Sequence, residues 1–527
     1  MKYVNIKNEK KVQDELDYQE AVFELEYNDL VCKFDKASVE DLSTIKARSF
    51  SSMQLRAKNA IKALVYNRVS NVLVLSGSSF VDTIDIAYEL LFSIAKIKAT
   101  IAYAPTKFEC FGDDKTQGVL TTDGYVIMPA SLILDHVKWI NMIDACLCQN
   151  SNLKLIICGE ASDCAQLNLI WPTLDNALKA DIVMEFPADG ALDTMASLVA
   201  YYKERYLIKP FSNDAIFLLC AYSCRISSDR RYLGLTELKI RAIALEAHAI
   251  SKGDKITKKD VLKAIGSADF RANFISQSDL RNHKDHQILL ATTGEVTGQI
   301  NGLSVIETLG SSYEYGEPVR ITATLRAGGD GDVVDIERKA ELAGQIHAKA
   351  MMIINGFLSD EFGSEQPLPI SASLVFEQSY SEIDGDSASL TGLCAVISAL
   401  SDLPIRQDLA VTGAVDQFGD VQPVGGLNEK VEGFFKICRL HGLTGTQGVI
   451  IPYSCIEQLV LRPSVLKAIA EHKFHIYVVA HVSAAAKLLM QTPWGDVEDQ
   501  DSICGKICTR LDNLGNVKNQ KPWWHFW

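Results

Sequence analysis

The chain has 527 residues and a mass of 58.1 kDa, which at roughly 100–200 residues per domain is enough for about three domains. With 47% hydrophobic and 22% charged residues, it has a globular composition that excludes a largely disordered protein. The formal net charge of −14 excludes a general phosphate-backbone binder, which needs a basic face, so no nucleic-acid partner is expected.

Thirteen cysteines are scattered from Cys32 to Cys508, an odd number that predicts reduced, buried thiols in a cytoplasmic protein. The C-x3-C pairs Cys220/Cys224 and Cys504/Cys508 lack further residues at zinc-site spacing. The N-terminal run Met1–Lys7 has no apolar core for a secretory signal, and no stretch reaches the ~20 apolar residues of a spanning helix.

Over residues 1–190 short apolar runs alternate with helical patterns. Asn71–Gly77 reads as a buried strand, followed by Ile84, Ala87, Tyr88, Leu91 and Ile94 at helical spacing. Tyr125–Met128, Leu153–Cys158 and Ile182–Met184 read as further strands, which predicts an α/β domain with a mainly parallel sheet. From 191 to 275 the pattern is helical. Leu235, Leu238, Ala242, Leu245 and Ala249 form one stripe, and Thr257 with Asp260 opens a short helix ending at Gly266. The polar stretch 276–294 reads as a linker. His283 and His286 lie in it at H-x-x-H spacing, but nothing around them completes a ligand set, and no metal is expected.

Residues 295–490 mix strands and helices, an α+β pattern. Gln299–Val305, Arg320–Leu325 and Ser373–Phe376 read as strands, with one long helix from Glu337 to about Phe357. Gly328–Asp332 lacks a lysine and reads as a hairpin turn, not a phosphate loop. The tail 491–527 ends in Lys521–Trp527, with three of the six tryptophans in its last five residues. Such an end suits a membrane interface, a groove on a partner, or a fold back onto its own domain.

Two helix starts carry the chemistry. Asp384-Gly385-Asp386-Ser387-Ala388-Ser389 precedes the stripe Leu390, Leu393, Cys394, Ile397 and Leu400, which sets Ser387 at a helix N-terminus where backbone N–H groups favour an oxyanion. An ordinary N-cap serine fits the same segment. Gly425-Gly426-Leu427-Asn428-Glu429-Lys430 opens a helix whose apolar face is Leu427, Val431, Phe434, Phe435 and Cys438, and Lys430 falls on that face. A lysine there either snorkels to water or loses hydration and becomes a base. Lowering its pKa from about 10.4 by about three units costs roughly 4 kcal/mol, within reach of a desolvated group. A neutral Lys430 would activate Ser387, the Ser-Lys variant of triad chemistry.

The Ser387 segment resembles the serine motif of Lon-type proteases, in the form typical of the LonB branch. The Lys430 segment resembles the same family's lysine motif, at a matching interval of 43 residues. Val411-Thr412-Gly413-Ala414-Val415 resembles the family's Thr-Gly strand, which implies that Thr412 supports the lysine. The resemblance gives Asp384 a role in shaping the serine loop, and Asp386 is expected to support the site through the backbone amides around it and Ser387, which would form the oxyanion hole. Asn301–Val305 and Ile336–Leu342 also resemble LonB-branch segments.

The resemblance further implies a front AAA+ ATPase module, a helical lid and a ring, a homo-hexamer, acting on unfolded proteins or peptides. The nucleotide motifs depart from the family. Ser76-Gly77-Ser78-Ser79-Phe80-Val81-Asp82-Thr83 follows the first strand, so Asp82 or Thr83 stands where a phosphate loop has its lysine. Pro129-Ala130 stands where the family has Asp-Glu, and neither residue holds Mg2+. The expectation is a degenerate AAA+-like module over 1–190, a lid over 191–275 and a Ser-Lys peptidase domain over 295–490. No cofactor is expected; ATP with Mg2+ enters only through a non-standard site, which would make the chain an ATP-dependent Lon protease. A non-catalytic ring scaffold or holdase is the other alternative.

Overall fold

The computed structural model describes residues 21–67, 70–113, 115–308, 313–328, 333–363, 368–378 and 384–519. The expected turn Gly328–Asp332 beyond its first residue, the N-terminal run Met1–Lys7 and the Trp-rich end Lys521–Trp527 lie outside them. The chain divides into a unit formed by Lys33–Ala268 and a unit formed by Asp269 onward together with the residues before Lys33.

In the first unit, β1 (Val72–Gly77) is followed by α1 (Thr83–Ala95), β2 (Thr100–Ile101), β3 (Gly124–Pro129), β4 (Leu153–Glu160) and β5 (Leu178–Asp181). Among the described residues these strands form one parallel sheet in the order β2-β3-β4-β1-β5. Val72–Leu75 and Leu155–Cys158 are buried along their whole length, as a parallel strand covered on both faces requires. Ile182–Met184 is not a strand. Ile182 N–H closes the ladder on the Ser76 carbonyl, and the Gln54 side chain then takes both backbone groups of Val183, at 2.7 and 2.8 Å.

Helices α2 (Ala191–Tyr206), α3 (Asn213–Ser227), α4 (Glu237–Ile250) and α5 (Lys258–Ala272) follow. The buried face of α4 is Ile240, Ile243, Ala244 and Ala247, while Ala242, Leu245 and Ala249 face out. Two apolar phases fit that helix, and packing selects the one with the β-branched residues. On α1 the buried set is Thr83, Ile86, Ala87, Leu90 and Leu91, rotated from the expected stripe. The short helix expected to stop at Gly266 continues to Ala272. A mid-helix glycine costs only about 1 kcal/mol, too little to end it. Asp260 accepts from Thr257 N–H and hydroxyl, closing the expected cap.

In the second unit the end of α5 is followed by α6 (Phe274–Lys284), so most of the expected linker's first half is helix. The elements that follow include β6 (Gln299–Glu307), β7 (Glu314–Ala327), β8 (Val333–Asp335), α7 (Ile336–Lys339), α8 (Gln345–Phe362), β9 (Ile370–Phe376), α9 (Ser389–Ser401), β10 (Leu409–Val411), α10 (Leu427–His441), β11 (Gly448–Pro452) and β12 (His475–Val479). The long helix expected from Glu337 is thus two, separated at Ala340–Gly344. Among the described residues the main sheet is mixed, in the order Phe23–Glu24, β12, β11, β10, β6, β7, β9, β8. Every residue of α9 is buried, so this helix is the anchor around which the serine and lysine segments are arranged.

Candidate functional site

Ser387 is half-buried and lies just ahead of α9, whose N-cap is Ala388. Its carbonyl accepts from Gly413 N–H at 2.9 Å and from the Thr412 hydroxyl at 3.3 Å. Leu390 N–H donates to the Gly413 carbonyl at 3.1 Å, and Val415 N–H to the Ser389 hydroxyl at 3.0 Å. The segment after β10 is therefore laced to the start of α9. Gly413 makes this approach possible, because a Cβ there would stand 2.9 Å from Leu390.

Lys430 reaches the same place from α10. The helix begins at Gly426, whose φ of 66° suits glycine and whose Cα faces Val305 too closely for a side chain. Lys430 is 3% exposed, so its amine does not snorkel to water. Nζ donates to Thr412 Oγ1 at 3.2 Å. Burial pulls the amine down to about 8, against the opposing pull of the Asp386 carboxylate. Thr412 is fully buried and joins the two segments, accepting from Lys430 and donating to the Ser387 carbonyl.

The two aspartates behave differently from one another. Asp386 is exposed and acts on Lys430 through charge. Asp384 Oδ1 accepts from Ile346 N–H at 3.1 Å, His347 N–H at 3.4 Å and Gly385 N–H at 3.0 Å. It caps α8 from outside, because the helix's own N-cap is Gly344, which has no side chain to do so.

Sequence reasoning missed the clasp that holds α10. Asn428 Nδ2 donates to the Gln458 carbonyl at 3.1 Å, and its Oδ1 accepts from Val460 N–H at 2.6 Å. One turn on, Glu432 accepts from Arg462 N–H at 2.9 Å and from its guanidinium at 3.0 Å. The available signal was Asn428 and Glu432, two polar residues four apart and so one above the other on α10.

In the first unit, Asp82 is the N-cap of α1, its carboxylate accepting from Asp85 N–H at 2.9 Å. Gly77 lies against Thr83, where a Cβ would stand 2.8 Å from the methyl group. Asp82, Asp85, Glu89 and Glu237, with Arg205 and Arg241, line a small open cavity of about 30 Å3. Burial, then Asp82 and Glu89, raise the Asp85 carboxyl, and burial raises Glu237. Pro129 ends β3, and Ala130 beyond it is fully buried. Among the described residues no group of three His, Cys, Asp or Glu is arranged to hold a metal, and no helix is long and apolar enough to cross a membrane.

The family model of the Lon protease (S16) C-terminal proteolytic domain matches residues 379–490, the stretch that contains Ser387, Thr412 and Lys430. A Lon protease homolog of Escherichia coli is 40% identical over 377 residues, covering 70% of this chain and 64% of that protein. Its counterpart in Haemophilus influenzae is 37% identical over 382 residues, covering 71% and 63%. The archaeal Lon protease of Thermococcus kodakarensis is 28% identical over 270 residues, covering 51% and 39%. The chain thus matches under two thirds of the length of these relatives. Together with the geometry around Thr412, the comparisons identify the chain as a relative of the Lon proteases that carries their C-terminal proteolytic domain.

Proposed function

We propose that this protein is a serine endopeptidase in which Ser387 attacks the peptide carbonyl and Lys430 is the base. The observation that carries the reading is the buried Lys430 amine, drawn down to about 8 by burial and bonded to Thr412 beside the Ser387 backbone. At that value roughly a fifth of the amine is neutral at pH 7.4, against about 0.1% for an ordinary lysine. The neutral amine takes the Ser387 proton as the hydroxyl oxygen bonds to the carbonyl carbon. Asp386 favours the ammonium that results. Backbone N–H groups around Asp386 and Ser387 stabilise the oxyanion, and Lys430 returns its proton to the leaving amine as the peptide C–N bond breaks. Water then hydrolyses the acyl-enzyme.

The first unit is proposed to be a degenerate AAA+-like module with a helical lid that does not hydrolyse ATP. As a seat for nucleotide phosphate its residues are a poor fit. Asp82 already caps the helix end that would face the phosphates, and three further carboxylates line the same cavity. Pro129 and Ala130 offer no ligand for Mg2+. Without a motor the substrates are peptides or proteins already unfolded. A cytoplasmic homo-hexameric ring with the serines facing an inner chamber completes the proposal.

Cleavage of a fluorogenic unstructured protein by the full chain, with and without Mg-ATP and alongside Ser387→Ala, tests this. The expected result is cleavage that is lost in Ser387→Ala and unchanged by Mg-ATP. Cleavage that rises with Mg-ATP contradicts the reading of the first unit. Cleavage that survives Ser387→Ala contradicts the reading of the second.

A further inference from the structure

Behind the serine segment lie three buried titratable groups that the proposed chemistry does not use. Asp335 ends β8, Glu337 lies in α7 and His347 in the first turn of α8; they are 6, 5 and 3% exposed. His347 Nε2 is 3.1 Å from Asp335 Oδ2, close enough for an ion pair but out of line for a hydrogen bond. Asp335 Oδ2, Glu337 Oε2 and His347 Nε2 have no hydrogen-bond partner among the described residues. Orphaned buried polar atoms are rare, and two neighbouring buried carboxyls are satisfied most simply by a proton held between them.

Their remaining bonds lead to the serine loop from both sides. Glu337 Oε1 accepts from the N–H of Phe376, the last residue of β9, at 2.9 Å. The His347 ring packs edge-on against Phe376 with centroids 5.3 Å apart. On the far side of the loop, Asp384 accepts from the N–H groups of Ile346 and His347. Gly344 allows that approach, since a Cβ there would stand 2.7 Å from Asp384 Cβ. Asp335 also fixes α7 by accepting from Glu337 N–H at 3.1 Å.

We propose that Glu337, Asp335 and His347 form a proton-sharing clamp that holds both ends of the serine loop and so positions Ser387, an inference that rests on reading Ser387 as the nucleophile. Glu337 is the protonated member: its Oε2 carries the hydrogen toward Asp335 while Oε1 stays free to accept from Phe376. Burial, and after it the neighbouring Asp335, raise the Glu337 carboxyl above its ordinary range. Burial also disfavours ionised Asp335, but the neighbouring His347 holds it below the usual carboxylate value. All three act as positioning residues.

The test uses the full chain carrying Asp335→Asn, Glu337→Ala or Glu337→Gln. Two quantities are read: steady-state cleavage of an unstructured fluorogenic protein, and hydrogen–deuterium exchange of the peptide spanning Gly385–Leu390. Asp335→Asn and Glu337→Ala are expected to lower kcat about tenfold or more with KM within about twofold, and to speed exchange about tenfold. Glu337→Gln copies the shape and hydrogen bonding of the protonated acid and should stay within about threefold of the parent in both. The clamp is overturned if Glu337→Gln is as damaging as Glu337→Ala, or if neither Asp335→Asn nor Glu337→Ala changes the exchange. Should Asp335→Asn fail to fold, the two Glu337 variants decide the matter between them. Full cleavage by Ser387→Ala would instead remove the nucleophile reading, and the exchange comparison would then decide the clamp alone.

Discussion

Replacing Lys430 with methionine is expected to abolish peptide cleavage and at the same time to stabilise the fold. Methionine matches lysine in length and fills the same apolar space, but supplies no base. Loss of the base should reduce the rate by about a thousandfold or more. The stability gain follows from the amine. Its value of about 8 in the folded chain lies below the ordinary lysine value of 10.5. Between those values the unfolded chain binds more protons, so stability rises with pH through the window from about 8 to about 10.5. At pH 7 the full cost of the buried amine is present, about 3 kcal/mol. Loss of the hydrogen bond to Thr412 offsets about 1 kcal/mol of the gain. Lys430→Met should therefore unfold at higher urea than the parent at pH 7, with the difference shrinking as the pH approaches 10. A variant less stable than the parent at pH 7 would mean that the amine is not held desolvated.

Gly316→Ala is expected to damage stability and activity together, although residue 316 touches no substrate in the proposed mechanism. β7 crosses α10 at a glycine-to-glycine contact. A Cβ on Gly316 would run into the Glu429 carbonyl and stand 2.8 Å from Lys430 Cα, while a Cβ on Gly433 would stand 2.9 Å from Gly316 Cα. All of these neighbours are backbone and cannot swing aside, so the helix must shift. Overpacking of this kind costs about 1–3 kcal/mol, and moving a catalytic group by about 1 Å costs about a hundredfold in rate. Gly433→Ala should act in the same way from the other side of the contact. Urea midpoints and initial cleavage rates of the two variants check this. Parental values for both would mean that the crossing has slack.

What was legible in the sequence follows from what is local. Val72–Leu75 and Leu155–Cys158 could be read because a strand buried on both faces is a continuous apolar run. Lys430 could be read because a charge on an apolar stripe breaks the period of its own helix. Asp82 was legible as a misfit in a phosphate loop, but its use as the cap of α1 was not. The features that were missed join distant segments. Asp384 caps a helix nearly forty residues upstream, and Gly316 meets a helix more than a hundred residues downstream. Gln54 takes the backbone of Val183, inside the expected strand Ile182–Met184, from 129 residues away. The face of α4 was misjudged because two apolar phases coexist on it and only tertiary packing chooses between them.

The pairing of Ser387 with Lys430 is tested most directly by the pH dependence of covalent labelling with a serine-directed phosphonylating reagent, located by peptide mass. One adduct is expected, on the peptide containing Ser387. Its rate should rise with pH and level off above about 8 as the Lys430 amine loses its proton, and it should disappear in Lys430→Met. Labelling at another serine, or labelling of Ser387 at an undiminished rate in Lys430→Met, would contradict the pairing.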